Sequence, residues 1–357
     1  MRFARGPAVA HAASLSQSGM PAADPMHFGA ARPLDTEWAG ASALPEFTAA
    51  LARRFGVTPD RLIVTPGTTG ALSVTAAALF LAGSTVAVET PSYEPLRVLP
   101  LREGARTVEV RRERSRGWRL EPEEVARALH GASRGHVLLT SPHNPSGARC
   151  SRDDLSALAE IAAKAGGYLV CNEIYEEFVE PTERFHAAVH LPNAISLGSL
   201  TKAYGLGCLR VGWVLLGSAA MAEREAFEDA SFLQYVDLST PALRAATRAL
   251  ALESELLAPY RAVLAESRPL LARWLASERR VDAHLPAHGI IAFAAVPSAP
   301  DTRALAEHLA AREQLAVVPG EHFGAPGHLR LGFGSPPPAL SEALARLSRG
   351  LDSFPGA

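Results

Sequence analysis

The sequence predicts an α/β fold in which a mostly parallel sheet lies between helices and a smaller α+β domain follows it. The main observation is that seven short apolar strands alternate with helical segments between residues 61 and 216, as in βαβ units. This alternation stops near residue 237, where a long helical stretch leads into a few short strands. The chain has 357 residues, which is too long for one core, because single cores rarely exceed about 250–300 residues. We therefore predict an N-terminal arm with part of the small domain at 1–45, a large domain at 46–244 and a small α+β domain at 245–357.

The individual elements follow from the spacing of apolar residues. The predicted strands of the large domain are 61–65, 85–88, 108–110, 136–140, 168–171, 194–197 and 211–216. Its predicted helices include 44–55, 71–81, 121–129 and 152–165. In the small domain, a helical stretch from 241 to about 277, softened at Pro259 and Pro269, comes first. It is followed by strands at 290–296, 315–318 and 329–333 and by helices at 302–312 and 341–351.

Composition and charge exclude several classes of function. With 48% hydrophobic residues, 20% charged residues and a formal net charge of −2, the chain lacks the positive excess that binds nucleic acid or an anionic membrane. Its longest apolar stretch, 76–82, is far shorter than the roughly 20 residues that span a bilayer. Cys150, Cys171 and Cys208 are widely spaced, which argues against a disulfide framework or a metal site and favours a reducing, cytoplasmic location.

Ligands of an open parallel sheet bind at the carboxyl ends of the strands, so the loops that follow the strands carry the candidate residues. Gly67, Thr68 and Thr69 follow the first strand and open a helix. Free N–H groups, the helix dipole and two hydroxyls suit a phosphate there, although a Gly–Thr pair at a helix start is more often only a cap. Tyr93 follows the second strand, where its ring either stacks on a ligand or packs against the protein.

Three later strand ends add polar side chains. Asn144 lies in a run of turn-forming residues after the fourth strand, which is either a ligand site or a rigid turn. Asn172 follows the fifth strand, and the strand period places Glu173 on the opposite face. Lys202 follows the sixth, with Arg210 eight residues beyond it. A lysine at a sheet edge is usually solvated, but in a cleft it can act as a nucleophile toward carbonyl groups.

Three segments of the sequence resemble signature motifs of the class I/II aminotransferases, which are fold type I enzymes dependent on pyridoxal phosphate (PLP). Residues 199–212, SLTKAYGLGCLRVG, resemble the lysine motif of that family. Residues 144–147, NPSG, resemble its NP[ST]G signature, and residues 328–333, HLRLGF, resemble its C-terminal arginine motif. The resemblance extends from about Phe47 to Phe333, and the motifs appear in the order of the family. It implies the fold type I architecture and PLP as the cofactor.

The resemblance also implies how the phosphate of PLP would be held. The residues that would hold it are Gly67, Thr68, Thr69, Ser199 and Arg210. Arg210 would act as a charged fork, and the others would donate hydrogen bonds.

The resemblance assigns the remaining roles to residues around the ring and the substrate. Lys202 would form a Schiff base with PLP and move protons at the α-carbon of an amino acid substrate. Tyr93 would stack on the pyridine ring, while Asn144 and Tyr175 would bond its 3-oxygen. Arg330 would bind the substrate α-carboxylate with both arms of its guanidinium, although an arginine considered alone more often forms a surface ion pair.

The sequence departs from the family pattern at two positions. The family has an aspartate where Asn172 stands, and that aspartate keeps a proton on the pyridine nitrogen. A neutral amide cannot do this, and Glu173 is expected to face the wrong way. Trp38 stands near a tyrosine that often reaches the phosphate of a neighbouring subunit, but it could equally be a buried tryptophan without that role.

These observations predict a PLP-dependent enzyme that acts on an α-amino acid, in the first place an aminotransferase. The alternative is a lyase, decarboxylase, oxidase or replacement enzyme of specialised metabolism, which Asn172 favours. A PLP-binding regulator is disfavoured, because the 45 or so residues before the first large-domain helix lack a basic, periodic pattern. The resemblance further implies a homodimer with shared active sites. The substrate stays open, and we expect arm residues near Phe28 to line its pocket.

Overall fold

The computed structural model describes residues 13–20 and 39–355 of the chain. Its strands, in chain order, are β1 (Ala13–Ser14), β2 (Leu62–Thr65), β3 (Thr85–Thr90), β4 (Arg106–Arg111), β5 (Gly135–Thr140), β6 (Leu169–Asn172), β7 (Ala194–Ser199), β8 (Gly212–Leu216), β9 (Asp282–Ala283), β10 (Ile291–Ala295), β11 (Leu315–Ala316), β12 (Val318–Pro319) and β13 (His328–Gly332). Its helices are α1 (Ala43–Phe55), α2 (Gly67–Leu79), α3 (Glu94–Arg102), α4 (Pro122–Ala128), α5 (Arg152–Lys164), α6 (Ala187–His190), α7 (Arg224–Tyr235), α8 (Thr240–Ala251), α9 (Glu253–Ser277), α10 (Thr302–Glu313) and α11 (Pro337–Ser353).

A seven-stranded sheet forms the centre of the molecule, in the order β2-β8-β7-β6-β5-β3-β4. The neighbouring pairs among β7, β6, β5, β3 and β4 are all parallel. Alternate side chains of these strands enter two different cores, with Val170 and Ile195 on one face and Leu169 and Ala194 on the other. The predicted α/β fold with a mostly parallel sheet between helices is therefore confirmed.

One strand of this sheet runs against the others. β8 pairs antiparallel with both β2 and β7, a direction that the sequence analysis did not predict. The connection between β7 and β8 contains only the short 3₁₀ turn Gly207–Leu209. A parallel crossover usually needs a helix to carry the chain back across the sheet, and no such helix is present in this connection.

Helix α2 begins earlier than the sequence pattern predicted. The predicted start was residue 71, but the helix begins at Gly67, directly after the Pro66 that precedes it. Thr68 and Thr69 therefore lie in the first helical turn. The apolar pattern missed this turn because Gly and Thr residues lack the apolar side chains on which the prediction relied.

The long C-terminal helical stretch, predicted to be continuous but softened at Pro259 and Pro269, is divided into two helices at another residue. Pro259 and Pro269 both lie inside the continuous helix α9, and the break falls at Leu252, between α8 and α9. Both prolines are exposed, so water can bond the carbonyl groups that a proline leaves without a partner. Packing of the buried side chains of α9 holds the helix together, because tertiary contacts dominate helix stability.

A second sheet has the order β12-β13-β10-β9, with all its pairs antiparallel. The predicted strand 315–318 is divided between two sheets, because β11 pairs in parallel with β1 while β12 joins β13. Helix α9 contributes Leu257 to the core beside the large sheet and Leu271 to the core of the small one. The domain boundary at residue 245 stays a prediction.

Among the described residues, no helix is long and apolar enough to cross a membrane. No group of three or more His, Cys, Asp or Glu side chains in this part of the chain is arranged to hold a metal ion.

Candidate active site

A cavity of about 740 Å³ lies where the loops after the parallel strands converge. Nine of the eleven residues predicted from the sequence line it: Thr68, Thr69, Tyr93, Asn144, Asn172, Tyr175, Lys202, Arg210 and Arg330. They come from both sheets, since Arg330 lies on β13 and the others follow strands of the large sheet. The structure thus brings together side chains that are up to 262 residues apart in the sequence (68 to 330).

The two remaining predicted residues, Gly67 and Ser199, lie directly behind the cavity wall. Gly67 has a φ of +74°, and a Cβ at this position would come within 2.7 Å of Nη2 of Arg210. A side chain is therefore excluded both by the backbone conformation and by the arginine. The Ser199 hydroxyl is 2.6 Å from the hydroxyl of Thr201, which does line the cavity. Both residues support the wall without forming it.

One end of the cavity is built to attract an anion. Arg210 lies here in the left-handed conformation, with a φ of +51°, which costs a residue with a side chain about 1–2 kcal/mol. Within the described part of the chain, its guanidinium makes two hydrogen bonds of 3.5 Å, to the backbone carbonyls of Gly207 and Pro66. The Thr68 hydroxyl is buried and has no hydrogen-bond partner in residues 13–20 and 39–355. Together with the N-terminus of α2, these groups form a positive end with unused donors.

Lys202 lies in the loop after β7, and a buried ion cluster contacts this loop at Tyr204. The Tyr204 hydroxyl is 3.2 Å from a carboxylate oxygen of Glu177. That carboxylate also forms ion pairs with Arg54 at 2.5 Å and with Arg184 at 3.0 Å. Burial alone would raise the pKa of Glu177, but the charge of Arg54 and its hydrogen bonds lower it to about 2. The loop is thereby tied to a charged cluster that stays ionised at neutral pH.

Asn172 ends strand β6 and lines the cavity. Its side-chain oxygen accepts a hydrogen bond of 3.3 Å from the N–H of Ile174. With the amide in this orientation, the NH₂ group has no acceptor among the described residues, so it is the group that Asn172 can offer to a ligand.

Glu173 points away from the cavity, as the strand period predicted. Its carboxylate accepts hydrogen bonds of 2.7 Å from the N–H of Ala187 and from the Ser196 hydroxyl, and lies 2.7 Å from Nδ1 of His186. Burial opposes a charge on His186, but the hydrogen bond and the charge of Glu173 raise the pKa of its imidazole. Glu173 is therefore fully engaged on the far side of β6.

Arg330 is a buried cation without a carboxylate partner among the described residues. Nη1 donates to Oδ1 of Asn144 at 3.0 Å, and Nη2 donates to the carbonyl oxygen of Ser16 at 2.9 Å. Nε is buried and has no partner in the described part of the chain, and the guanidinium lies 5.2 Å from the ring centre of Phe323. Burial lowers the pKa of Arg330, and a bound carboxylate would satisfy this cation.

A buried histidine joins the loop that follows β3 to the loop that carries Asn144. Nε2 of His143 is 2.7 Å from the carbonyl oxygen of Pro91, and Nδ1 is 2.7 Å from the hydroxyl of Ser146. Burial holds the pKa of His143 well below its usual range, so the ring is neutral and donates from Nε2 to the carbonyl. This contact fixes the distance between two of the loops that form the cavity.

Sequence reasoning missed part of the cavity wall. The missed residues are Ser16, Gln17, Ser18, Gly19, Met20, Leu72, Glu94, Ile174, Thr201, Gly205, Gly207, Cys208, Val318, His322 and Phe323. The arm was expected to contribute near Phe28, and this position, like Trp38, lies outside the described residues. Within the described residues, positions 16–20 of the arm line the cavity. The segment carries no periodic apolar pattern that could have identified it.

Comparisons with known proteins agree with this geometry. The family model described as aminotransferase class I and II matches residues 35–347. The chain is 30% identical to capreomycidine synthase from Streptomyces vinaceus over 321 residues, which cover 85% of this chain and 78% of that protein. It is 29% identical to an aspartate/prephenate aminotransferase from Thermus thermophilus over 328 residues, which cover 88% and 83% of the two chains.

Similarity to solved structures extends over almost the whole chain. The crystal structure of OrfR, a PLP-dependent cyclase, matches with a TM-score of 0.84 at 26% identity, covering 98% of this chain and 95% of that one. Because the family model spans most of the sequence, the chain belongs to the class I and II aminotransferases and is a PLP-dependent enzyme.

Proposed function

We propose that this enzyme acts on an α-amino acid as an aminotransferase, with Lys202 as the residue that holds PLP covalently. The observation that carries the proposal is that one cavity contains Lys202 together with two arginines from different elements: Arg210, which follows the 3₁₀ turn Gly207–Leu209, and Arg330 on β13. A phosphate and an amino acid carboxylate are two anions, and each arginine offers a site for one of them.

The anionic end of the cavity fits the phosphate of PLP. Among the residues that the structure describes, the buried hydroxyl of Thr68 has no partner, and the hydrogen bonds of Arg210 are long, at 3.5 Å. Thr69 adds a hydroxyl on the first turn of α2. Gly67 leaves the space that a side chain would fill beside Arg210, and Ser199 orients the neighbouring Thr201. These residues would hold the phosphate.

Other polar and aromatic residues that line the cavity fit the pyridine ring. Tyr93 would pack against the ring face, and Tyr175 and Asn144 would bond its 3-oxygen. Burial raises the pKa of Tyr93, so its ring is uncharged at neutral pH. We also propose that Asn172 stands at the position of the family aspartate, beside the ring nitrogen.

When bound, PLP supplies an aldehyde that takes up an amino group and a ring that accepts electrons from the α-carbon. The protein's own residues do the rest. Arg330 binds the α-carboxylate of the substrate and so fixes which bond of the α-carbon faces the cofactor. The Lys202 amine, once it is free, removes the α-proton and returns it elsewhere as a general base and acid.

A screen of L-amino acids against the purified enzyme tests the proposed reaction. We expect at least one amino acid to convert the cofactor to pyridoxamine phosphate and to release the matching keto acid, both measurable by absorbance and mass spectrometry. Consumption of an amino acid without either product would contradict transamination and support the alternative below.

The second candidate is a PLP reaction other than transamination, such as an elimination, replacement or cyclisation. The specific observation is Asn172, whose NH₂ group can donate to an unprotonated ring nitrogen but cannot hold a proton on it. A ring that lacks that proton is a weaker electron sink, which matters less when a good leaving group departs. Two of the similar proteins are named as a synthase and a cyclase rather than as aminotransferases.

Assembly and location are further proposals. We propose a homodimer that completes the active sites, supported by three exposed apolar side chains at the end of α7: Phe232, Leu233 and Val236. Sedimentation at micromolar concentration tests it, and the mass of a single chain would contradict it.

We also propose a cytoplasmic location, which the three free cysteines support and which cell fractionation tests.

A further inference from the structure

Residues 13–20, which we call the N-terminal strap, are anchored to the small domain. Strand β1 of the strap pairs in parallel with β11. Leu15 is 1% exposed, its N–H donates to the carbonyl of Ala316 at 2.9 Å, and its carbonyl accepts from the N–H of Gly332 at 2.6 Å. A Cβ at position 332 would collide with the strap, so the glycine permits this close approach. The strap is thus a fixed part of the fold.

From this anchor the strap crosses the cavity and contacts two residues of the candidate site. The carbonyl of Ser16 accepts a hydrogen bond from Nη2 of Arg330 at 2.9 Å. Two residues later, the hydroxyl of Ser18 accepts from Nζ of Lys202 at 2.9 Å. One short segment therefore touches both the proposed carboxylate site and the proposed catalytic amine.

The backbone of the strap also follows the lysine. The N–H of Met20 donates to the carbonyl of Lys202 at 3.0 Å. A Cβ at Gly19 would lie 3.3 Å from Cδ of Lys202, which is tighter than ordinary van der Waals contact. The absence of a side chain at Gly19 therefore lets the strap lie close along the lysine stem. Contacts at both ends of Lys202 fix its position relative to the Ser18 hydroxyl.

We propose that Ser18 is a positioning residue that orients the amine of Lys202 whenever this amine is not bonded to the cofactor. A lysine side chain has four rotatable carbons and loses about 2 kcal/mol of rotamer freedom when it is fixed. A hydroxyl that accepts one N–H of the amine limits these rotamers. It leaves the lone pair of the neutral amine free to attack a carbonyl carbon. The inference rests on the role proposed above for Lys202.

The capture of free PLP by cofactor-free enzyme tests this positioning without any knowledge of the substrate. The enzyme is mixed rapidly with PLP, and the growth of the visible absorbance band of the lysine-bound cofactor is recorded over time. We expect Ser18→Ala to slow this growth about tenfold. Pyridoxamine phosphate carries no aldehyde and cannot bond the lysine. Its affinity for Ser18→Ala should therefore differ less than twofold from its affinity for the wild type.

Two further variants separate orientation of the amine from general damage to the strap. Ser18→Thr keeps the hydroxyl and should capture PLP within about threefold of the wild-type rate. Ser14→Ala removes a different hydroxyl of the strap, one that lies 2.7 Å from that of Ser16, and should leave capture within about twofold. If Ser14→Ala slows capture as much as Ser18→Ala does, the strap acts only as structure and the proposal is wrong.

The remaining outcomes distinguish this inference from the proposed function. Suppose that borohydride traps PLP on Lys202 of the wild type while Ser18→Ala captures PLP as fast as the wild type does. This pair of results would overturn the role of Ser18 and leave that of Lys202 intact. If Ser18→Ala weakens the binding of pyridoxamine phosphate by the same factor as it slows PLP capture, Ser18 contributes to cofactor affinity. That result would also overturn the positioning role of Ser18. No trapping on Lys202 in the wild type would overturn both proposals.

Discussion

Lys202→Ala is expected to lower kcat by at least about 10⁴-fold and to abolish borohydride trapping of the cofactor. The variant loses both the covalent attachment of PLP and the group proposed to move the α-proton, and positioned proton transfer alone contributes about 10²–10⁴-fold. Its noncovalent binding of pyridoxamine phosphate should change little, because Arg210 and Thr68 line the cavity through other elements. The measurements are steady-state kinetics and the mass of the protein after reduction.

The composition of this chain makes the trapping experiment unusually decisive. The sequence contains only two lysines, Lys164 and Lys202. Lys164 is exposed at the end of α5, so Lys164→Ala is a matched control for nonspecific reaction of PLP with surface amines. We expect this control to trap one cofactor per chain, as the wild type does. Trapping that survives in Lys202→Ala but disappears in Lys164→Ala would refute the proposed role of Lys202.

The convergence of the predicted side chains on one cavity has a local physical cause. Thr68, Tyr93 and Asn144 each follow a buried strand closely and Asn172 ends one, and a strand is recognisable from a few consecutive apolar residues. Once the strands are known to be parallel, their carboxyl ends must meet at one edge of the sheet. Knowledge of the strands was therefore sufficient to predict that these side chains converge on one cavity.

The N-terminal strap could not be predicted in the same way. Its β-pairing consists of Ala13 and Ser14 opposite Leu315 and Ala316. Two residues are too few to show a period, and the partner lies some 300 residues away. The contact between Ser18 and Lys202 follows from this pairing and from the packing of Leu15. Neither the pairing nor the packing produces a recognisable pattern in the local sequence. The structure is therefore needed to see that the strap lines the cavity.

The direction of β8 and the continuity of α9 were missed for a related reason. Local patterns identify a strand but not its direction, which depends on how the preceding connection crosses the sheet. In the same way, Pro259 predicts a weakened helix from local chemistry alone. The buried side chains of Leu256, Leu257 and Tyr260 nevertheless pack around it. Long-range packing decides both features.

Asn172 is the residue that most affects which reaction the enzyme performs. We expect Asn172→Asp to accelerate the transamination half-reaction at least tenfold. An ion pair with the ring nitrogen at about 3 Å, with an effective dielectric constant near 20, is worth roughly 5 kcal/mol before desolvation. This is an upper limit of about four pKa units for the ring nitrogen. The measurement is the single-turnover rate at which an amino acid from the screen produces pyridoxamine phosphate.

The introduced carboxylate should also change stability in a way that depends on the cofactor. Asn172 is 5% exposed, and Glu173 cannot compensate because its carboxylate is engaged on the far face of β6. A buried charge without a partner is unfavourable, so cofactor-free Asn172→Asp should have a lower Tm than the wild type. Bound PLP should remove most of this difference, because the protonated ring nitrogen then pairs with the carboxylate.

Asn144→Asp is the matched control, because it adds the same charge to the same cavity at another place. Its carboxylate would lie beside Nη1 of Arg330, which now donates to Oδ1 of Asn144 at 3.0 Å, and would compete with a substrate carboxylate for this guanidinium. We expect this variant to lose activity. A gain in Asn172→Asp alone would indicate that the natural enzyme uses a weak electron sink, which favours a reaction with a leaving group over amino transfer. If Asn172→Asp slows transamination as well, Asn172 does not lie beside the ring nitrogen. The argument that Asn172 favours a reaction with a leaving group then loses its physical basis.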